Sequence, residues 1–419
     1  MSGLERVSGE LALDGVPLAS IAARFGTPCY VYSRRMIEAA FREFDEGIAG
    51  VDHMVCYAVK ANSNLAVLDV LARLGAGFDI VSGGELARCL AAGATPDRVI
   101  FSGVGKSEAE MRAALAAGIR CFNVESEPEI ERLDAIARSM GRLAPVSLRV
   151  NPDVDARTHP YISTGLAANK FGIPHAQALA AYRKAAASAS LRVTGIGCHI
   201  GSQILESSPL DAALDRVLEL VAALAAHGIA LEHLDLGGGF GIRYRDERPM
   251  DVRAYCQRLA RRLEAKRLRV MLEPGRAIVG PAGVLLTRVE YLKADKARAF
   301  AVVDASMSEL LRPALYQAWH EIVEVGAPKH AAARYDVVGP VCESSDILGT
   351  DRSLAVAPGE LLAILAAGAY GMTMASNYNS RPRPPEILVD GGEAREVRAR
   401  ESVEALFSLE RRLGDPAIR

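Results

Sequence analysis

The sequence predicts an α/β protein: a (β/α)8 barrel followed by a second, β-rich domain. Three observations carry this. The chain has 419 residues, which exceeds the usual span of one hydrophobic core. From about residue 50 to 280, short β-branched runs alternate with longer amphipathic runs rich in alanine and leucine, and the first four strand-like runs recur at about 22-residue intervals. After Gly280 the helical spacers thin out and strand-like runs dominate.

The strand-like runs of the first region are VCYAV from Val55, GFDIV from Gly77, VIFSG from Val99 and CFNVE from Cys121. VSLRV from Val146, VTGIGCHI from Val193, LEHLDLG from Leu231 and RVMLEP from Arg269 complete the series. Helix-like stretches such as NLAVLDVLARLGA, GELARCLAAG and EAEMRAALAAG lie between them. Strand, helix, strand repeated this way means a parallel sheet with right-handed crossovers. About eight units point to closure into a barrel, with a doubly wound open sheet as the competitor on periodicity alone.

In the second region VLLTRVEYLKA, RAFAVVDA, RYDVVGPV, LLAILAAGAYG, EILVDGG and REVRAR read as strands, and ELALDG near the start is expected to add one more. The expected division is therefore 1–26 as an N-terminal segment joining the β domain, 27–280 as the barrel, and 281–419 as the β domain. SNYNSRPRPP from Ser376 is the most turn-rich stretch.

Composition narrows the function classes. The 49 basic and 51 acidic side chains nearly cancel and form no long run of one sign, so neither nucleic acid nor a membrane surface is an expected partner. No stretch approaches the roughly 20 apolar residues of a membrane span, and MSGLERVSGELALDG has no apolar leader, so a cytoplasmic protein is expected. The seven scattered cysteines contain no C-x-x-C pair, and the eight histidines show no H-x-x-x-H or H-E-x-x-H spacing. Neither a disulfide framework nor a metal site is expected.

Barrel enzymes work at the C-terminal ends of their strands. The first strand ends in Lys60, the second carries Asp79, and the sixth ends in His199. The seventh ends in Gly237-Gly238-Gly239, and the eighth in Glu273, Pro274, Gly275 and Arg276. Ionisable groups and glycines thus gather on one rim. Lys60 after an apolar strand is suited to imine formation if burial lowers its pKa, though a lone strand-end lysine more often snorkels. GGGFG offers unobstructed backbone N–H groups for a phosphate, or serves only as a turn; it lacks both the dinucleotide and the P-loop spacing. Glu273 needs a partner, either Arg276 or a ring nitrogen it would keep protonated. His199 is either a core histidine or a planar surface for a flat cofactor. In the second domain, Cys342 and Glu343 adjoin at a strand end, and Arg312 and Tyr316 share a face if LLRPALY is helical. Arg312 then forks onto a carboxylate or makes a surface pair.

From Leu11 to Leu406 the chain resembles the alanine-racemase-like group of pyridoxal-phosphate (PLP) enzymes and, within it, the diaminopimelate decarboxylases. The resemblance rests on FGTPCYVYS, YAVKANSN, GFDIVSGGEL, FSGVGK, NVES, RVNPD, THPYISTG, NKFGI, CHIGSQ, DLGGGFG and EPGRAIV, then on RPALYQA, GPVCESSDILG, GAYG and SNYNSRPRP. YAVKAN is common to the whole group, whereas RPALY, CESSD and GAYG together are narrower. The resemblance implies that Lys60 carries pyridoxal 5'-phosphate, that His199 stacks on its ring, and that Glu273 meets the ring nitrogen near Asp79. It implies a phosphate site of Ser202, Gly238, Gly239, the segment Glu273, Pro274, Gly275 and Arg276, and Tyr370. Arg276, Arg312, Tyr316 and Tyr370 then hold the distal carboxylate of a small diamino acid, Glu343 binds its distal ammonium, and Cys342 donates a proton. Cys342 and Glu343 reach the neighbouring subunit's site in this family, so a homodimer with shared active sites is implied. Decarboxylation of meso-2,6-diaminopimelate to L-lysine is the expected activity. The alternatives are a decarboxylase of another diamino acid, ornithine- or arginine-like, a racemase, and a non-enzymatic PLP-binding protein; a racemase would carry arginine in place of Glu273.

Overall fold

The computed structural model describes residues 3–155, 170–294 and 298–413, and the THPYISTG segment (158–165) lies outside them. Two compact units divide the chain, one over Met36–Pro281 and one combining Met1–Arg35 with Ala282–Arg419.

The first unit is a closed parallel barrel. Its strands are His53–Ala58, Gly77–Ile80, Val99–Phe101, Cys121–Val124, Ala144–Asn151, Leu191–Gly197, His233–Asp235 and Arg269–Leu272. Each pairs with the next, the fourth with the fifth, and the eighth returns to the first with Leu272 opposite Val55. Closure decides against the open sheet. Strands covered on both faces read as continuous apolar runs, which is why they stand out in the sequence.

Helices pack outside, and four of them start on a polar side chain in the loop that follows the preceding strand. Asn64, Ser82, Ser107 and Ser126 each accept a backbone N–H from the first turn of the helices Leu65–Arg73, Gly83–Ala91, Glu108–Ala117 and Glu127–Ser139. Such caps satisfy donors that a helix cannot pair internally, at about 1 kcal/mol each. The strand-to-helix loops on the functional rim are thereby held in one conformation.

Inside the barrel, Met54, Cys56, Ile100, Cys121 and Met271 form an apolar cluster. His233 is buried beside it, its Nε2 3.9 Å from Cys121 Sγ. Burial lowers its pKa to about 3, so the ring is neutral. A Cβ on Gly195 would lie 2.1 Å from that Nε2, so the neighbouring strand accepts the ring only by having no side chain there.

The second unit centres on the long strand Gly283–Ala294. Its first part pairs with Cys29–Ser33 and with Leu361–Ile364, and beyond an irregularity at Val289/Tyr291 it pairs with Ala299–Val303. Ala333–Val338 and Ile347–Leu354 extend one side, Glu386–Asp390 and Glu393–Arg398 the other. Two expectations are revised. ELAL does form a strand (Glu10–Leu13), but it pairs with Leu4–Val7 and Val16–Pro17 in a separate small sheet, which is joined to the larger one through Leu11 N–H to Val325 O at 2.8 Å and Arg6 Nη2 to Glu324 O at 2.7 Å. The strand that enters the large sheet is Cys29–Ser33, so the N-terminal piece of this unit extends to Arg35 instead of 26. LLAILAAGAYG leaves the regular strand after Ile364, where Ala366 takes φ 53°, and Gly368 then packs onto Gly283 so closely that a Cβ at Gly283 would lie 2.2 Å from its Cα.

Among the described residues, no helix is long and apolar enough to cross a membrane. Gly195→Ala should cost about 2–4 kcal/mol, because neither the strand backbone nor the enclosed His233 ring has room to move. Chemical denaturation of the variant against the parent protein measures this.

Candidate active site

Lys60 sits in a single helical turn, Val59–Ala61, directly after the first strand. Its Nζ donates to Asp79 Oδ2 at 2.6 Å. The lysine side chain is 37% exposed and the Asp79 side chain is fully buried, so the ammonium is anchored on an interior carboxylate instead of snorkelling into water. Asp79 Oδ1 is buried without a hydrogen-bond partner.

Two more carboxyl groups lie at the ends of the seventh and eighth strands. Asn123 Nδ2 sits 3.2 Å from Asp235 Oδ2 and 3.5 Å from Glu273 Oε1, and 3.1 Å from Ser102 Oγ. Gly237 N–H donates to Asp235 Oδ1 at 2.9 Å. Burial holds the Glu273 carboxyl well above its usual range, with Asp235 and Asp79 adding to the rise and Lys60 opposing it. Burial likewise raises Asp235 to about 6, against the Gly237 hydrogen bond. Two interior carboxyls in contact cannot both ionise cheaply, so the pair retains a proton near neutral pH.

His199 keeps part of its surface open but is densely surrounded. Burial drives its pKa well below the ordinary value, helped by Arg149 and Lys60. Gly238 N–H donates to its Nδ1 at 3.1 Å, which puts the ring proton on Nε2 and leaves a neutral ring. The glycine run is required sterically: a Cβ on Gly238 would lie 2.0 Å from Glu273 O, and one on Gly239 would lie 2.2 Å from Gly201 O. Gly275 is close to Ala58 and Ala61, and Pro274 O accepts the Ala58 N–H at 3.1 Å, so the last strand end is tied to the lysine turn. Arg276 is buried, with Nη2 donating to Ser202 Oγ at 3.0 Å and Nη1 to Tyr244 Oη at 2.6 Å.

The structure therefore brings Lys60, Asp79, His199, Ser202, Gly238, Gly239, Glu273, Pro274, Gly275 and Arg276 to one rim. Three residues outside the sequence-based set join them. Arg149 lies near the end of the fifth strand, pairs with Glu125 at 3.0 Å and points Nη2 at His199 O. The rim rule applied to RVNPD would have found it. Asn123, on the fourth strand, was open to the same rule. Tyr244 lies in a loop and carries no sequence signal.

The remaining residues belong to the second unit. Arg312 opens the one-turn helix Arg312–Tyr316, and its burial excludes a surface pair. Its Nη1 is 2.7 Å from His320 Nε2, so that nitrogen accepts and Nδ1 donates to Leu365 O at 2.8 Å. Tyr316 and Tyr370 are half-buried, and Tyr370 has φ 56°. Cys342 and Glu343 are exposed, Cys342 alone among the seven cysteines.

The barrel rim presents three buried carboxyl groups to one lysine. A flat cofactor with a protonatable ring nitrogen, a carbonyl for the amine and an anionic tail for Ser202 and Arg276 fits this donor set. Pyridoxal 5'-phosphate has each of these parts.

The family model for "Pyridoxal-dependent decarboxylase, pyridoxal binding domain" matches residues 34–280. Over 401 residues the chain is 58% identical to a diaminopimelate decarboxylase of Pseudomonas aeruginosa, covering 96% of this chain and 97% of the relative. Among solved structures it resembles diaminopimelate decarboxylase from Helicobacter pylori complexed with L-lysine, with a TM-score of 0.91, 43% identity, and 94% and 99% of the two chains covered. The M. jannaschii enzyme in co-complex with L-lysine gives a TM-score of 0.92 at 36% identity, covering 98% of each chain.

The raised carboxyls set the sign of a pH effect on the cofactor-free protein. A carboxyl with a raised folded value favours folding below its unfolded value, and that support is lost as pH climbs through the folded value. For Asp235, a rise from 3.8 to about 6 corresponds to about 3 kcal/mol lost across that interval. Glu273→Gln relieves the crowding. Its Tm should match the parent's near about pH 4.5 and exceed it at about pH 8; parallel Tm–pH curves would contradict the assignment.

Proposed function

The chain belongs to the diaminopimelate decarboxylases, within the pyridoxal-dependent decarboxylase family, and from that premise we propose how its residues perform the reaction. It is a PLP-dependent carboxy-lyase that converts meso-2,6-diaminopimelate to L-lysine and CO2, the last step of lysine biosynthesis. The observation that carries this reading is the single rim on which Lys60, bound to buried Asp79, meets the Asp235–Glu273 pair.

Bound pyridoxal 5'-phosphate supplies an electron sink for the pair left behind when CO2 departs. Lys60 would hold the cofactor through its ε-amino group, the same kind of group that the substrate brings. Asp79 steadies the lysine ammonium, and its second oxygen remains available to the cofactor side. Glu273 keeps the ring nitrogen protonated. The neutral His199 ring would offer a flat surface for the cofactor ring. Ser202, Gly238, Gly239, Arg276 and Tyr370 bind the phosphate, with Tyr244 orienting Arg276.

Arg276, Arg312, Tyr316 and Tyr370 hold the distal carboxylate, and Glu343 takes the distal ammonium. Cys342 Sγ–H delivers the proton to the carbon that lost CO2. Exposure of Cys342 and Glu343 in the single chain supports their completing the site of a second copy, in a homodimer with shared sites. A cytoplasmic location accords with six buried, unbridged cysteines.

Purified protein with added cofactor should release CO2 from meso-2,6-diaminopimelate; release from ornithine and none from diaminopimelate would overturn the substrate. Lys60→Ala should lose about 10^3-fold or more in kcat and the absorbance band that borohydride bleaches. Mixing inactive Lys60→Ala and Cys342→Ala chains should restore roughly a quarter of wild-type activity, since half the dimers are mixed and each has one intact site. No rescue in verified mixed dimers would rule out shared sites.

A further inference from the structure

The turn-rich SNYNSRPRPP segment has no role in the reaction as described so far. It is nevertheless the segment that touches Cys342 and Glu343. Tyr378 Oη donates to Glu343 Oε1 at 2.5 Å, and the next residue, Asn379, accepts the Cys342 N–H on Oδ1 at 3.3 Å. Two adjacent side chains thus engage two adjacent residues across 35 and 37 positions of sequence.

Both sides of this contact are firmly held. On the Cys342 side, Asp346 accepts Met307 N–H at 2.6 Å and Val341 N–H at 2.7 Å, and its own N–H donates to Glu343 O at 3.1 Å. A Cβ on Gly339 would lie 2.4 Å from Asp346 Oδ2, so this loop closes only with glycine there. On the other side, Ser376 N–H donates to Ser308 O at 2.9 Å and Arg381 Nη2 to Asp304 O at 2.8 Å. Asn377 and Arg383 both bind Glu401, whose carboxyl lies at about 2 and stays charged. Asn379 and Ser380, directly after Tyr378, take φ of 56° and 54° in the left-handed region.

We propose that Tyr378 and Asn379 are positioning residues: Asn379 fixes the Cys342 backbone, and Tyr378 orients Glu343 so that its second oxygen selects substrates carrying a distal ammonium. The proposal rests on the reading that Glu343 binds that ammonium. An exposed carboxylate otherwise rotates freely and loses entropy when it captures a cation, whereas one already held on a phenol presents a fixed acceptor. The phenol remains a donor at working pH, because its bond to Glu343 raises its own pKa.

The test compares holoenzyme KM for meso-2,6-diaminopimelate with Ki for 2-aminopimelate, which lacks the distal amine. Tyr378→Phe removes only a hydroxyl from a side chain on the surface, and an unchanged Tm confirms that folding is intact. It should raise KM about five- to tenfold while Ki stays within about twofold, as expected for losing one charge-assisted hydrogen bond. Asn379→Ala should lower kcat about fivefold with little change in KM, and Asn379→Asp, which keeps the acceptor, should restore it. Equal shifts in KM and Ki, or none, for Tyr378→Phe would overturn the proposal. Glu343→Gln separates the two layers. If it raises KM relative to Ki and Tyr378→Phe does not, Tyr378 fails alone. If Glu343→Gln leaves the ratio unchanged, the ammonium assignment itself fails, and the proposal with it.

Discussion

Three carboxyl groups, Asp79, Asp235 and Glu273, are buried at one rim of a closed barrel against a single lysine ammonium. Much of the local design answers to that imbalance. Asn123 is shared between two of the carboxyls, Gly237 donates its N–H to one, and the pair retains a proton. In the proposed site a protonated ring nitrogen adds a cation beside these three carboxyls, which Lys60 alone does not balance. The crowding that costs stability without the cofactor then becomes a source of affinity for it, and holds the ring nitrogen protonated.

Precision at this rim comes from rigid supports. Hydrogen-bonded parallel strands fix the level of each terminal residue, and side-chain caps fix the loops that follow. Glycines serve where backbones must nearly touch, as at Gly238 against Glu273 O. The second unit achieves positioning by another route. Its Cys342–Glu343 loop is exposed, and it is held by a mesh of single hydrogen bonds through Asp346, Tyr378 and Asn379. Burial secures the cofactor groups, while local loop geometry secures the exposed pair.

The barrel was legible because a parallel strand is covered on both faces and reads as an unbroken apolar run at regular intervals. The rim rule then located Lys60, Asp79, His199, the glycine run and Glu273 without any contact information, although the same rule passed over Arg149 and Asn123. The β unit was less legible. CYVYS looks like part of the first strand–helix alternation, yet it pairs with strands more than 250 positions away, at Gly283 and Glu386. Such pairing depends on what the remote strands offer, and local propensity does not record it.

By itself the sequence determined the barrel, the lysine on its rim, and the motifs that align the chain with its family. These are local patterns: apolar period, glycine runs, and residue types at strand ends. Only the tertiary structure decided which carboxyls meet, that Asp235 shares Asn123 with Glu273, that Arg276 rests on Tyr244, and that Tyr378 reaches Glu343. Each of these pairs is brought together by chain closure across tens to hundreds of residues, and the energy that shifts a proton or orients a carboxylate falls off within a few ångströms. A one-dimensional pattern can place a charged residue at a strand end. The distance and burial that determine its chemistry exist only after the chain has closed.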